Sequence, residues 1–211
     1  MINLYNIDCM IALKEMKDNQ FNLAIVDPPY GYGNKNTKIL NFRQNKQHRE
    51  WNTAPNDKYF KELFRVSKNQ IIWGGNYFPY LWKEGCRGFI FWNKDVNFNT
   101  YSAGELAYTS FNKPANYYYY AWNGLADGIR GRNKKTKTIH PTQKPVKLYE
   151  WLLMNYAKEG YKILDTHLGS GSIAIACHNL KYDLEAYELD KEYFEAAKKR
   201  LKQHTNQKRM F

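Results

Sequence analysis

Two adjacent prolines behind a short apolar run determine where one strand of this chain must end. The run spans residues 23–26 (LAIV), and its apolar, partly β-branched residues predict a buried strand. Pro28 and Pro29 stop this strand, because proline has no N–H to donate to a neighbour and holds φ at about −65°. The sequence therefore predicts a stiff turn, Asp27-Pro28-Pro29-Tyr30, at the carboxyl edge of a sheet.

The Asp27–Tyr30 turn carries three groups that suit a planar base with an exocyclic amino group. The Asp27 carboxylate and the Pro28 carbonyl can accept the amino hydrogens, and the Tyr30 ring can stack on the base. We therefore predict Asp27, Pro28, Pro29 and Tyr30 as the catalytic segment. The plainer alternative is a proline-rich turn in which Asp27 is only a local cap.

Short apolar runs alternate with helical patterns along the chain, which is typical of a parallel sheet with crossover helices. Asp8 is placed to cap the first of these helices, and Asp190 is interpreted as a plain N-cap of the last. The later runs at residues 105–111 and 116–122 are interpreted as a remaining pair, an antiparallel hairpin. The predicted fold class is α/β: a Rossmann-like, doubly wound, mostly parallel sheet with one antiparallel strand. A length of 211 residues predicts a single domain over 1–211.

Charge and aromatic content favour a nucleic-acid partner. Lys and Arg number 32 against 20 Asp and Glu, a formal charge of +12, and 17% of residues are aromatic. Charge that serves only solubility is the alternative. The three cysteines are scattered, and no uninterrupted apolar run approaches about 18 residues, so we expect a soluble, cytoplasmic protein without a membrane partner.

Two long polar segments interrupt the periodic pattern, at residues 31–51 and 123–139. Loops of this length in compact domains are typical of function or disorder, and these two are rich in Lys and Arg. We predict that both contact nucleic acid, against the alternative of merely solvated loops. The residues predicted to bind nucleic acid are Lys35, Lys38, Arg43, Arg130, Arg132, Lys134 and Lys135.

A second ligand-binding pattern lies late in the chain. Residues 140–145 (HPTQKP) lead into a helix, and a strand at 161–165 runs into the glycine-containing turn 166–172 (THLGSGS) and another helix. Glycines in such a turn let a ligand approach the backbone at a helix N-terminus. Glu188 ends the next strand, where an acid can bind the hydroxyls of a ribose. A surface acid is the alternative for Glu188.

Together these motifs resemble the β-class amino-methyltransferases of DNA, which methylate adenine N6 with S-adenosylmethionine. The resemblance rests on the Asp27–Tyr30 turn, the 140–145 segment, and residues 165–172 with Glu188, in the circularly permuted order of that class. It implies a class I methyltransferase fold, S-adenosylmethionine as cofactor with S-adenosylhomocysteine as product, a flipped adenine in DNA as substrate, and no metal.

The resemblance also implies a role for each matching residue near the cofactor. Asp8 would contact the adenine of the cofactor and Glu188 its ribose. Gly169 and Gly171 would shape the turn. The methionine carboxylate or amine would be approached by Thr142, Lys144 and Ser172. The predicted cofactor-binding residues are Asp8, Thr142, Lys144, Asp165, His167, Gly169, Ser170, Gly171, Ser172 and Glu188.

Two departures from the family pattern and several alternatives accompany this interpretation. The glycine motif of the family begins Asp-Pro-Phe, whereas this chain has Asp165-Thr166-His167. The segment between Trp122 and His140 is short for a target-recognition region, which predicts loose or brief sequence specificity. Cytosine-N4 methylation is the nearest alternative function, RNA is a less favoured substrate, and a catalytically silent DNA-binding module is the alternative from another class. A homodimer is compatible with the sequence but has no support in it.

Overall fold

The computed structural model describes residues 1–31, 53–95, 102–122, 138–140 and 142–207. Its strands are β1 (Ile2–Tyr5), β2 (Leu23–Val26), β3 (Gln70–Trp73), β4 (Phe89–Asn93), β5 (Gly104–Thr109), β6 (Asn116–Tyr119), β7 (Lys162–Asp165) and β8 (Asp183–Tyr187). Its α-helices are α1 (Cys9–Glu15), α2 (Asp57–Val66), α3 (Val146–Tyr156), α4 (Ser172–Leu180) and α5 (Lys191–Asn206).

The eight strands form one sheet in the order β1-β8-β7-β2-β3-β5-β4-β6. Only β5 runs against its neighbours, so the predicted mostly parallel sheet with one antiparallel strand is confirmed. The predicted hairpin of the two last runs is wrong. β5 lies between β3 and β4, and β6 pairs in parallel with β4. The chain after β5 therefore crosses over β4 to its far side instead of folding back along β5.

Helices cover the sheet on both faces, as a doubly wound fold requires. On one face α3 and α4 pack on a core that includes Ile25, Trp73 and Ile163. On the other face α1 and α2 cover a second core around Ala24 and Ile72. Adjacent strand residues therefore point into opposite cores, which explains why the central strands β2 and β3 are buried along their whole length.

Side-chain caps fix the starts of three helices. Asp8 accepts a hydrogen bond from the Met10 N–H at the start of α1, as predicted, and Asn56 accepts bonds from the first turn of α2. Asp190 caps α5 through the Glu192 and Tyr193 N–H groups. Among the helices in the described ranges, none is long and apolar enough to span a membrane.

The position of the site follows from the order of the strands. β2 and β7 are parallel neighbours with Leu23 opposite Ile163, and the chain continues outward from them in opposite directions, to β3 and to β8. At such a reversal the loops after the two strands separate and leave a crevice at the carboxyl edge of the sheet. The Asp27–Tyr30 turn and the 166–172 turn follow these two strands, so the topology brings the early and late motifs together.

Candidate active site

A cavity of about 510 Å³ opens between the two turns. Residues from both halves of the chain line it, which brings together the predicted catalytic segment and most of the predicted cofactor site. The predicted residues on its wall are Asp8, Asp27, Pro28, Pro29, Tyr30, Thr142, Lys144, His167, Gly169, Ser170 and Glu188. Asp165, Gly171 and Ser172 do not line the cavity, and the side chains of Asp165 and Ser172 are buried.

The ring of Tyr30 is held rigidly against the end of β3. A Cβ built on Gly74 would lie 2.1 Å from the Tyr30 ring, so only glycine leaves room for it there, and Gly74 also has a φ of +68°. Tyr77 contacts the ring from another side at 5.0 Å between centroids. The Tyr30 hydroxyl donates to Asp27 Oδ1 at 2.7 Å. The aromatic ring and the carboxylate of the turn are therefore fixed relative to each other.

The ammonium of Lys144 lies beneath the Asp27–Tyr30 turn and contacts three oxygens. It forms an ion pair with Asp27 Oδ2 and another with Glu105 Oε2 at 3.0 Å, and it donates to the Tyr30 hydroxyl at 3.2 Å. Glu105 Oε2 accepts no hydrogen bond in the described residues, so its contact with the ammonium is an ion pair without hydrogen-bond alignment. Only 3% of the Lys144 side chain is exposed. The geometry thus links Lys144 to the Asp27 carboxylate, and its place beside the methionine part of a cofactor, which the resemblance implies, stays a prediction.

Glu105 and Lys94 are site residues that sequence reasoning missed. Glu105 lies on β5, and its second oxygen pairs with Lys94 just past the end of β4. Glu105 shares a strand face with Ala107, which is fully buried. The available signal was the position of Glu105, two residues before Ala107 in a predicted strand. An acid on the same strand face as a core residue is buried, and a buried carboxylate requires a partner.

Burial and ion pairing shift the pKa values of Asp27, Glu105 and Lys144 in opposite directions. Burial raises the pKa of Asp27, Lys144 pulls it back and Glu105 adds to the rise, and the net result is a raised pKa. Burial opposes ionisation of Glu105 as well, but Lys144 and Lys94 lower the pKa of this carboxyl to about 2. Burial favours a neutral Lys144, yet the two carboxylates hold the pKa of its ammonium above the ordinary value. The lysine therefore stays charged at neutral pH.

The glycine turn offers hydrogen-bonding groups at the other end of the cavity. Glu188, at the end of β8, accepts from the Gly169 N–H at 2.8 Å and from the Asp190 N–H at 2.9 Å, one bond to each oxygen. Each carboxylate oxygen retains further acceptor capacity toward the cavity, which suits vicinal hydroxyls. Gly169 has a φ of +52° and faces the ring of His140. This end fits the ribose of a nucleoside cofactor.

Ser172 joins the glycine turn to the 140–145 segment. Its hydroxyl donates to the Lys144 carbonyl at 2.7 Å and accepts from Arg200 at 2.9 Å, and Arg200 also donates to the Ser170 carbonyl. With 2% of its surface exposed, Ser172 positions the backbone that carries Lys144. Thr142 lies on the cavity wall, where its hydroxyl and His140 Nδ1 are 3.1 Å apart.

His167 takes the position at which the sequence departs from the family motif. Its Nδ1 lies 2.9 Å from the Thr166 hydroxyl, which in turn lies 2.7 Å from the hydroxyl of Tyr59 on α2. Burial lowers the pKa of His167 to about 4, so the imidazole is neutral at physiological pH. A neutral, hydrogen-bonded ring therefore lines the cavity here. Tyr59 is a third residue that the sequence did not single out.

Asp165 lies behind the turn, with 2% of its surface exposed. Its carboxyl accepts a hydrogen bond from the His167 N–H at 3.0 Å, and the described residues form no ion pair with it. Burial raises its pKa to about 8, even though the His167 N–H opposes this shift. Asp165 is therefore mostly protonated at neutral pH.

The predicted DNA-binding residues lie outside the described part of the chain. They belong to residues 32–52 and 123–137, which flank the Asp27–Tyr30 turn and the 140–145 segment in sequence. Their contact with DNA stays a prediction.

Comparison with known proteins identifies relatives over most of the chain. The family model described as DNA methylase, for N6 and N4 enzymes, matches residues 43–199. The type II methyltransferase M.HpaI of Haemophilus parainfluenzae is 28% identical over 236 residues, covering 92% of this chain and 72% of that protein. The type II methyltransferase M2.DpnII of Streptococcus pneumoniae is 23% identical, covering 94% and 88%.

Solved structures share the fold at low sequence identity. The complex of M1.HpyAVI with SAM superposes with a TM-score of 0.60 at 23% identity, covering 95% of this chain and all of that one. The cytosine-N4-specific PvuII DNA methyltransferase superposes with a TM-score of 0.62 at 12% identity, covering 97% and 90%. These likenesses confirm the class I methyltransferase fold.

Proposed function

The chain belongs to the DNA methylase family, and from this premise we propose that it transfers the methyl group of S-adenosylmethionine to the N6 amino group of an adenine flipped out of DNA. The observation that carries the proposal is the shared cavity. Asp27 and Pro28 line the same space as Glu188 and the glycine turn. An amino group held at one end can therefore meet a methyl donor held at the other.

The residues at the glycine end fit the proposed cofactor. Glu188 is suited to its ribose hydroxyls, Asp8 and His167 line the same wall, and Gly169 and Ser170 shape the approach to the helix N-terminus. Bound there, S-adenosylmethionine supplies an electrophilic methyl group, which is the chemistry the protein groups cannot provide themselves. Behind the wall, Asp165, Gly171 and Ser172 support this turn, and Thr142 adds a hydroxyl to it.

The catalytic work assigned to the protein is orientation of a poor nucleophile. The lone pair of an adenine amino group is delocalised into the ring. Hydrogen bonds from this group to the Asp27 carboxylate and the Pro28 carbonyl favour a pyramidal nitrogen whose lone pair points away from the ring. Pro29 keeps the turn rigid and Tyr30 offers a face for stacking, which offsets part of the cost, a few kcal/mol, of flipping the base.

The aspartate at the start of the turn favours adenine, because in the resembling class this residue accompanies adenine more often than cytosine. The family model includes N4 enzymes, so cytosine N4 is the second candidate atom. The net charge of +12 supports DNA as the partner, with the basic residues of the two long loops as the proposed contacts.

Nucleoside mass spectrometry tests base and atom in one experiment. Unmethylated DNA is incubated with the protein and S-adenosylmethionine, digested, and analysed for N6-methyladenine and N4-methylcytosine, with Asp27→Ala as the inactive control. We expect N6-methyladenine from the wild-type protein only. N4-methylcytosine would replace the adenine assignment, and the absence of both products, together with measurable cofactor binding, would favour a silent DNA-binding module.

A further inference from the structure

Glu105 is a largely buried charge beside the site that the proposed chemistry leaves unused. It reaches the active site from β5, a strand that contributes no residue to the cavity wall, and Lys144 separates it from Asp27. Its two oxygens face two cations, Lys144 and Lys94, and 20% of its side chain is exposed. An acid in such a place is expensive to bury, so its position requires an explanation.

The contacts of the Lys144 ammonium indicate the role of Glu105. Asp27, the Tyr30 hydroxyl and Glu105 approach its ammonium, and the rings of Trp73 and Tyr30 lie 5.5 and 5.8 Å from the nitrogen. Without Glu105, Asp27 would be the one carboxylate paired with the ammonium in the described part of the chain, and the opposing attraction from the β5 side would be lost.

The position of Lys144 in turn sets the state of Asp27. Lys144 pairs with Oδ2 and the Tyr30 hydroxyl donates to Oδ1, so the plane of the carboxylate is fixed and each oxygen keeps one further lone pair. If Lys144 paired with Asp27 alone, its ammonium would compete with an incoming amino group for these lone pairs. Because Lys144 also pairs with Glu105, it competes less.

We propose that Glu105 is a positioning residue for methyl transfer: it shares the Lys144 ammonium with Asp27, and so keeps Asp27 oriented and able to accept the substrate amino group. This inference rests on the proposed function of the same site. Glu105 touches neither base nor cofactor in it, and acts only through Lys144.

Glu105 and Lys144 shift the pKa of Asp27 in opposite directions: Glu105 raises it and Lys144 lowers it. The other titratable groups that interact with Asp27 in the described residues are Tyr30, Tyr59, Tyr149 and Asp165. Removing the charge of Glu105 should therefore move the acid limb of the pH–rate profile to lower pH, and removing that of Lys144 should move it to higher pH.

The experiment compares single-turnover methyl transfer to DNA, cofactor affinity by calorimetry, and the pH–rate profile in matched variants. For Glu105→Gln we expect a rate lower by roughly 10- to 100-fold, cofactor affinity within about 3-fold, and an acid limb at lower pH. For Lys144→Met we expect the acid limb at higher pH. Glu150→Gln is the control: Glu150 is also a buried acid paired with a lysine, but its side chain contacts Lys147 and Asn179 away from the cavity.

A folded Glu105→Gln with wild-type rate and profile would overturn the inference, as would equal losses in Glu105→Gln and Glu150→Gln. If Glu105→Gln does not fold, Glu105→Asp takes its place, because it keeps the charge and withdraws it from Lys144 by one methylene. We then expect a lower rate with an acid limb near that of the wild type, and an unchanged rate would overturn the inference. Failure of the proposed function itself would appear separately, as a wild-type protein that transfers no methyl group.

Discussion

Asp27 and Asp165 stand at the carboxyl ends of two neighbouring parallel strands, yet their surroundings differ. Asp27 faces a buried lysine and a tyrosine hydroxyl. Asp165 accepts a backbone hydrogen bond and forms no ion pair in the described residues. Burial raises the pKa of both carboxyls and Lys144 opposes this shift at both, but of the two Asp27 is the one that contacts the lysine directly. One environment suits an acceptor for a reacting group, and the other suits a neutral support.

Replacing Asp27 should have the largest effect. Asp27→Asn keeps the size of the side chain but turns part of the acceptor into a donor and removes the charge that faces Lys144. We expect methyl transfer to fall by at least about 100-fold, while cofactor affinity changes by no more than a few-fold. Radiolabelled methyl transfer and calorimetry measure the two quantities. A variant with near-normal turnover would end the proposed role of this carboxylate.

Replacing Lys144 should show that the two aspartates differ in their dependence on a cation. Lys144→Met leaves Asp27 and Glu105 side by side without the ammonium between them. Loss of one partner of a buried ion pair costs about 3–5 kcal/mol. We expect a loss of that size in the free energy of unfolding, measured by urea titration. The exposed pair of Lys83 and Asp57 offers the control, since Lys83→Met should cost less than about 1 kcal/mol.

Replacing Glu188 should affect the cofactor end and leave the reacting end intact. Glu188→Gln removes the charge that we assign to the ribose hydroxyls, and a hydrogen bond to a charged group contributes about 1.5–3 kcal/mol. Cofactor affinity should therefore fall by roughly 10- to 100-fold. At saturating cofactor the single-turnover rate should recover to within a few-fold of wild type. A rate that stays low at saturation would mean that Glu188 also serves the chemical step.

Replacing Asp165 should have the smallest effect at neutral pH, because its carboxyl is already mostly protonated there. Asp165→Asn should therefore leave the single-turnover rate of methyl transfer near pH 7 within about 3-fold of the wild-type rate, because the amide replaces a neutral carboxyl of the same size. With the folded pKa raised to about 8, the folded protein keeps a proton that the unfolded chain releases. The contribution of Asp165 to stability is thus fully present below about pH 4 and falls as the pH rises toward 8.

The asparagine variant lacks this dependence. Its stability relative to wild type should therefore improve between about pH 5 and pH 8, which urea titrations at both pH values measure. A difference that is constant across this range would show that Asp165 is ionised in the folded protein. The difference between Asp27 and Asp165 would then lie in the direct contact of Asp27 with Lys144 and not in their protonation.

Much of the fold could be predicted from sequence because its signals are local. Apolar runs of four or five residues gave the strands, and cap residues such as Asp8 and Asp190 gave helix starts that the structure confirms. The hairpin of β5 and β6 failed because periodicity states that a segment is extended but not which strand it pairs with. That choice depends on how the crossover beyond β5 packs on the rest of the sheet.

The sequence by itself determined the chemical groups of the site and their order: an acid and two prolines after an early strand, and a glycine turn and a terminal acid after late ones. Only the tertiary structure decided that β2 lies beside β7, and that Glu105 and Lys144 meet beneath Asp27. The physical reason is that motifs depend on backbone geometry and residue type within a few positions. Contacts between residues 27, 105 and 144 depend instead on strand order and on which buried charges must find partners.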